Sequence, residues 1–362
     1  MRLMNGYDFE PICVHKTLPI INAVKLMNKQ AMQVLLVVNK KRKLEGIVTD
    51  GDIRRAIINN ISFSESVAKI MNTKPITMEA PPDKEKAIKM MKKYDIRHIP
   101  VLDREGKITG LLMWKDFFSN GDITVEKKPN IVVIMAGGKG SRLDVFTKIL
   151  PKPLIPIGEK PIIEHVIDHF VKYGFQRFLL SLNYKAEMIK IYFSDGQKKG
   201  YLVDFVQEND FLGTAGALSL MREKLTETFL VSNCDILIDA NMEQLLHYHL
   251  KHRNDATILG IVRNVEIPYG VLHTRQATLD RIVEKPEFHF VINSGVYVLE
   301  PQIVNLIEDN QPVDMPSLLM RAKERNFKVQ IFPMTCTWFD IGQWSEYQRA
   351  IQHISTLVGT AL

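Results

Sequence analysis

Apolar residues recur along this chain in two rhythms. Short, largely apolar runs, among them Val34–Val38, Ile131–Met135, Thr228–Ser232 and Thr257–Val262, have the length of strands buried on both faces. Elsewhere, Ile162–Tyr173, Met242–His252 and Trp344–Ile354 place apolar side chains three and four residues apart with polar ones opposite, as amphipathic helices do. From about residue 130 onward the two patterns alternate, which predicts an α/β fold with a mostly parallel, doubly wound sheet. Ligands of such sheets lie beyond the carboxyl ends of the strands.

Before residue 120 the rhythm repeats itself. Ala23-Val-Lys-Leu-Met27 returns as Ala87-Ile-Lys-Met-Met91, and the same offset pairs Val37 with Val101, Lys43 with Lys107, Gly46 with Gly110 and Asp52 with Asp116. Each copy reads as helix, strand (34–38; 98–102), turn, strand (46–49; 110–113) and helix. We expect an α+β domain over residues 1–122, with copies at about 8–62 and 66–120. A polar linker at 123–129 then leads to a second domain over 130–362.

Candidate chemistry begins where the strand Ile131–Met135 ends. Ala136-Gly-Gly-Lys-Gly-Ser-Arg142 follows, and shortly after it Pro151-Lys-Pro153. Glycines strip side chains from the turn, so backbone N–H groups can face a phosphate chain. Arg142 and Lys152 bring mobile positive charge to the same mouth. Ala136, Gly137, Gly138, Gly140, Ser141 and Arg142 are therefore the candidate nucleotide-binding residues. The turn is neither of two better-known glycine loops. A dinucleotide-binding turn needs a third glycine where Leu143 stands, and a Walker loop needs Gly-Lys-Ser/Thr, which does not occur.

The segment Ala136–Leu143 with Pro151-Lys-Pro-Leu-Ile-Pro156 strongly resembles the sugar-1-phosphate nucleotidyltransferases. The likeness continues in the family's order through Leu212-Gly-Thr-Ala-Gly-Ala-Leu218, Ser232-Asn-Cys-Asp-Ile236, Tyr269-Gly-Val271, Val283-Glu-Lys-Pro286, Asn293-Ser-Gly-Val-Tyr297 and Trp338-Phe-Asp-Ile-Gly342. One departure is Val145, where members often carry proline. The duplicated first domain resembles a CBS-domain pair, a module that binds adenosine or guanosine nucleotides or mediates dimerisation. The fused arrangement is similar to guanylyltransferases that make GDP-activated sugars, and most similar in architecture to those acting on glucosamine 1-phosphate in legionaminic acid synthesis, which implies GDP-glucosamine or a related GDP-sugar as product; mannose 1-phosphate and heptose 1-phosphate enzymes are near neighbours.

That resemblance implies a nucleotidyltransferase (Rossmann-like) fold and Mg²⁺-dependent formation of a GDP-sugar and pyrophosphate from GTP and a sugar 1-phosphate. It implies a metal pair, Asp235 and Asp340, with Lys152 on the α-phosphate and the incoming sugar phosphate, and Arg142 at the pyrophosphate end. Gly213 and Thr214 would pack beside the base, and Asn183 would meet its edge. Gly270, Glu284, Lys285 and Asn293 would serve the sugar phosphate. Other readings stand beside these: Asp340 before a glycine also reads as a turn residue, and Asn293 likewise. A uridylyl- or thymidylyltransferase is the alternative enzyme, and a nucleotide sensor that no longer turns over is the rival from another class. In the first domain, Thr49 and Asp52 have the spacing of a ribose-binding pair, while the second copy keeps Asp116 but carries Met113 in place of the hydroxyl. A carboxylate at such a strand-to-helix turn also reads as a helix cap.

Bulk composition changes this picture little. Apolar and charged fractions of 46% and 24% are those of an ordinary globular protein. Three cysteines (Cys13, Cys234 and Cys336) without metal-ligand spacing suit a reducing cytoplasm. No segment looks long and apolar enough for a membrane. The net charge of +6 comes from separated patches (Lys40–Lys43, Lys127–Lys128, Lys198–Lys199) without interleaved aromatics, which argues against nucleic acid as partner. A homo-oligomer, a dimer, is expected from the CBS resemblance.

Overall fold

The computed structural model describes residues 9–30, 32–59, 61–94, 96–118, 126–140, 143, 147–194 and 200–359. They belong to two units, residues 1–124 and 125–362. Ser141, Arg142, Val145, Lys198, Lys199 and the first part of the expected linker lie outside the described residues.

In the first unit, α1 (Ile20–Gln30), β1 (Val34–Val38), β2 (Leu44–Thr49) and α2 (Asp50–Ile58) are followed by α3 (Lys84–Tyr94), β3 (His98–Leu102), β4 (Ile108–Met113) and α4 (Trp114–Phe118). Val37 lies opposite Gly46 in one hairpin and Val101 opposite Gly110 in the other, and each ladder slips at the next residue, Val38 or Leu102. The sequence repeat is therefore also a repeat of register. Each hairpin gains a short parallel strand from upstream, Cys13–Val14 beside β1 and Met78–Glu79 beside β3. The copies meet turn to turn: Lys43 bridges Lys107, and the Leu44 N–H donates to the Gly106 carbonyl at 3.2 Å.

The second unit is built on β5 (Lys128–Met135), α5 (Ile162–Val171), β6 (Phe175–Leu182), α6 (Ala186–Phe193), β7 (Leu202–Gln207), β8 (Phe229–Asn233), β9 (Ile236–Ile238), α7 (Met242–His252), β10 (Ala256–Glu266), β11 (Val271–Arg275), β12 (Thr278–Val283), β13 (Glu287–Leu299), α8 (Met315–Glu324), β14 (Val329–Met334), β15 (Trp338–Asp340) and α9 (Trp344–Gly359). Seven strands form one sheet in the order β7-β6-β5-β8-β13-β10-β14. Only β13 runs against its neighbours; every other pairing is parallel. The unbroken apolar run of β5 has a direct cause. Val132 and Ile134 enter a core shared with α5, α6 and α7, whereas Val133 and Met135 enter a second core shared with α8. A strand covered on both faces has no polar side to present.

β5 begins at Lys128, inside the stretch expected to be linker. The Lys128 N–H donates to the Gly174 carbonyl at 2.9 Å, and its ammonium reaches Glu243 at 3.3 Å. Pro129 has no N–H to give, and the ladder with β6 jumps there, from Phe175 opposite Lys128 to Arg177 opposite Ile131. Among the described residues no helix is long and apolar enough to cross a membrane.

Candidate active site

Lys152 opens a single 3₁₀ turn, Lys152–Leu154, closed by Ile155 N–H donating to the Lys152 carbonyl at 3.1 Å. Proline on either side suits that turn, since the first N–H groups of a helix have no internal partner. Downstream, Ile155 and Ile157 are buried in a small cluster with Leu143, Phe339, Ile341 and Tyr347. Phe339 and Ile341 flank Asp340. One apolar cluster thus fixes Lys152 and Asp340 together, although the chain separates them widely.

Asp235 reaches the same place from the end of β8. β9 pairs antiparallel with β15, Ile236 opposite Asp340, and the Ile341 N–H donates to the Asp235 carbonyl at 2.9 Å. The two aspartates are thereby neighbours across a two-stranded ladder. Lys152 Nζ donates to Asp235 Oδ2, with side chains only 14% and 16% exposed. Burial works against the ammonium's charge, but Asp235 and, more weakly, Asp340 outweigh it and hold the lysine above its ordinary range. Burial pushes the Cys234 thiol far up, helped by Asp235.

The glycine turn packs on this group. Gly140 has φ +66°, and a Cβ there would lie 2.9 Å from Lys152 Cβ and from Thr147 Cγ2. Ala136 and Gly137 are buried and Gly138 is exposed. Around Gly137 the structure reveals Glu208, a residue that no motif singled out. Its carboxylate is 3% exposed, accepts from Ser181 Oγ at 2.6 Å and from the Leu212 N–H at 3.1 Å, and fills the space a Gly137 side chain would need. Asn183 donates to the Glu208 carbonyl at 3.1 Å and sits against Gly137. Inside Gln207-Glu-Asn-Asp210 the sequence carries no periodic or motif signal for Glu208.

The other expected residues have these neighbours in the structure. At Gly213, expected with Thr214 beside a base, a Cβ would lie 2.6 Å from the Val313 carbonyl oxygen, and Thr214 Oγ1 accepts from the Met315 N–H at 2.9 Å. Gly270, expected against a sugar, has the Glu284 carboxylate at 2.8 Å from its Cβ position. Glu284 and Lys285 are exposed at the base of the β11–β12 hairpin. Among the described residues no hydrogen bond or ion pair joins them to Lys152 or Asp235. Asn293 is a strand residue, not a turn residue; its amide donates to Tyr297 Oη at 2.7 Å and accepts from the Gly295 N–H at 3.1 Å. In the first unit Thr49 and Asp52 form a reciprocal capping box on α2, and Asp52 also meets Arg55. Asp116 accepts from the Met113 N–H at 3.0 Å, again a cap.

Residues 131–356 match the family model of the nucleotidyl transferases, well over half of the chain. This chain belongs to the nucleotidyl transferase family. Two further matches, residues 6–59 and 67–121, are CBS domains, so the transferase follows a CBS-domain pair. The mannose-1-phosphate guanyltransferase of Yarrowia lipolytica is 36% identical to this nucleotidyl transferase over 229 residues, which covers 59% of this chain and 61% of the relative. Mannose-1-phosphate guanyltransferase beta-A of Xenopus laevis is 33% identical over 226 residues, covering 59% and 62%. The chain thus spans about three-fifths of the length of the curated relatives it matches. Among solved structures, HddC from Yersinia pseudotuberculosis aligns with TM-score 0.50 and 28% identity, over 62% of this chain and 99% of HddC. HddC complexed with GMP-PN gives 0.51 and 27% over the same 62% and 99%.

Proposed function

We propose that this nucleotidyl transferase is a guanylyltransferase that joins GTP and a sugar 1-phosphate into a GDP-sugar and releases pyrophosphate. The observation that carries this reading is the convergence of Lys152, Asp235 and Asp340 on the Gly137–Gly140 turn, beyond the carboxyl ends of β5 and β8.

A sugar-phosphate oxygen is already anionic, so the attack on the α-phosphorus needs no general base. The barrier is the approach of two polyanions and the charge spread over an in-line transition state, which positioning and electrostatics lower. Lys152, held charged in a shielded site, is the group placed to stabilise that charge at the α-phosphate. Backbone N–H groups of the glycine turn, and Arg142 beyond the described residues, would hold the remaining phosphates. Glu208 and Asn183 would keep the turn in shape from beneath. Glu284, Lys285 and Asn293 remain the proposed sugar-side residues, the first two exposed for a ligand and Asn293 braced by Tyr297.

Asp235 and Asp340 fit Mg²⁺, which takes one or two carboxylates and completes its shell with phosphates and water. Asp235, whose Oδ2 meets the Lys152 ammonium, and Asp340 across the ladder would supply that pair. Bound there, the ion would supply charge stabilisation on the phosphate oxygens.

The choice of guanine rests on relatives named as guanyltransferases and on HddC, solved with GMP-PN. Glucosamine, mannose and heptose 1-phosphates are the proposed sugars. The CBS pair, within proposed bounds of 1–122, would regulate or dimerise a cytoplasmic enzyme; an adenosine or guanosine nucleotide is its proposed effector. Pyrophosphate release tests the whole reading, with GTP, UTP, dTTP, CTP and ATP each offered against that sugar panel. Release with GTP alone supports it, and release with UTP or dTTP instead overturns the base. Nucleotide binding with no release across the panel would favour the sensor.

A further inference from the structure

Lys185 occupies a backbone position that suits glycine or asparagine, with φ +51° and ψ +37°, immediately before α6. Its side chain explains why a lysine stands there. Nζ donates to three successive carbonyls, those of Thr147, Lys148 and Ile149, at 3.2, 2.6 and 2.9 Å. An ammonium has three N–H bonds, and here each has an acceptor. No carboxylate lies within ion-pair reach of Lys185 among the described residues, and the centre of the Tyr184 ring is 5.1 Å from Nζ.

The segment so held needs an anchor. Lys148 is exposed and Ile149 is 74% exposed, so neither is fixed by burial. Thr147 is buried, and its hydroxyl donates to the Gly140 and Leu143 carbonyls at 3.2 and 3.3 Å. Three residues after Ile149 comes Lys152, whose downstream side is held by Ile155 and Ile157. On its upstream side Thr147 and Lys185 both hold the segment.

On the guanylyltransferase reading of the site, we infer that Lys185 is a positioning residue. By binding the carbonyls of Thr147–Ile149 it fixes the backbone approach to Lys152, and so the place of the Lys152 ammonium against Asp235 and the substrate phosphates. The side chain acts through Lys152 and needs no contact with substrate. A lysine suits this better than arginine, because three converging carbonyls match a compact ammonium and not a flat fork.

The test compares Lys185→Met, Lys185→Asn and Lys185→Arg in the full chain. Asparagine tolerates the left-handed backbone but is too short to reach the carbonyls, so it separates loss of the tether from backbone strain. Hydrogen exchange at the Leu154 and Ile155 amides, which close the Lys152 turn, requires no turnover. Both uncharged variants should exchange there several-fold faster than wild type while Tm is little changed; unaltered exchange overturns the tether. In kinetics, kcat should fall about 10- to 100-fold with KM for GTP nearly unchanged, the signature of a displaced group. A rise in KM alone that high salt abolishes, or full rescue by arginine, would mean that Lys185 contributes only charge, and would overturn the inference. If the wild type transfers no nucleotidyl group to any sugar phosphate yet the exchange difference appears, the tether stands and the guanylyltransferase reading fails.

Discussion

Asp52 and Asp235 both stand where an apolar strand ends, both are shielded from water, and both meet a cation. Asp52 is satisfied within the stretch Thr49–Arg55: Thr49 gives it an N–H and a hydroxyl at 2.8 and 2.7 Å, and Arg55 gives its guanidinium. Among the described residues Asp235 has no such local donors. Its charge is met by Lys152, from a separate segment, and a second carboxylate, Asp340, is brought alongside by strand pairing. A carboxylate closed off by its own helix holds that helix in place. One that faces a lysine and another carboxylate across a long chain separation stores electrostatic capacity that a phosphate or a metal ion can use. The same contrast runs between the two units, whose strand-end aspartates cap helices in the first and converge in the second.

Asp235→Asn breaks that contrast most severely. It keeps the shape and removes the charge, and turnover should drop by about three orders of magnitude or more, as loss of a transition-state charge partner does, with circular dichroism unchanged. Near-normal turnover would take Asp235 out of the chemistry. Lys152→Ala should cost about a hundredfold in the chemical step with a smaller loss of nucleotide affinity; single-turnover and binding measurements separate the two.

Glu208→Ala sharpens the comparison at a third buried carboxylate. It leaves Ser181 Oγ and the Leu212 N–H without acceptors, which costs about 1–3 kcal/mol. The transferase transition should fall by about 5 °C; an unchanged Tm would show that Glu208 is dispensable for the turn. Asp52→Ala should destabilise the first unit by about 1 kcal/mol through the lost cap and leave basal transfer untouched. Calorimetry with AMP and GMP on that variant decides whether the cap also holds ribose. Reduced binding relative to wild type would give Asp52 a second role.

The smallest effect concerns pH. The Lys152 ammonium is held above its ordinary value of 10.5, so its stabilisation is fully present below the unfolded pKa and is lost only as pH climbs through the higher folded value. Lys152→Met should therefore change Tm by the same amount at pH 7 and at pH 9. A difference that shrinks between those values would show that the ammonium titrates lower.

Much of this was legible beforehand. The offset that pairs Val37 with Val101 and Gly46 with Gly110 became identical hairpin registers, because local pattern and turn chemistry decide a hairpin. Helix α7 falls on the expected Met242–His252, where an asparagine cap and a left-handed Arg253 mark its ends. Motif order put Lys152, Asp235 and Asp340 on one list. It also proposed Gly213 and Thr214 beside a base, and gave no hint that Gly213 packs on the Val313 carbonyl or that Thr214 accepts from the Met315 N–H. Glu208 and Lys185 were missed for one reason: each is defined by partners elsewhere in the chain, and nothing in its own neighbourhood marks it.

The sequence by itself determined the elements, the duplication, the alternation of strand and helix, and the residue types able to handle phosphate, since these follow from periodicity and side-chain chemistry over short stretches. Only the tertiary structure decided which carboxylates meet a cation from afar and which are closed off by their own helices. That choice depends on the pairing of β9 with β15 and on the packing of Ile155 against Phe339 and Ile341, contacts whose partners no local pattern specifies.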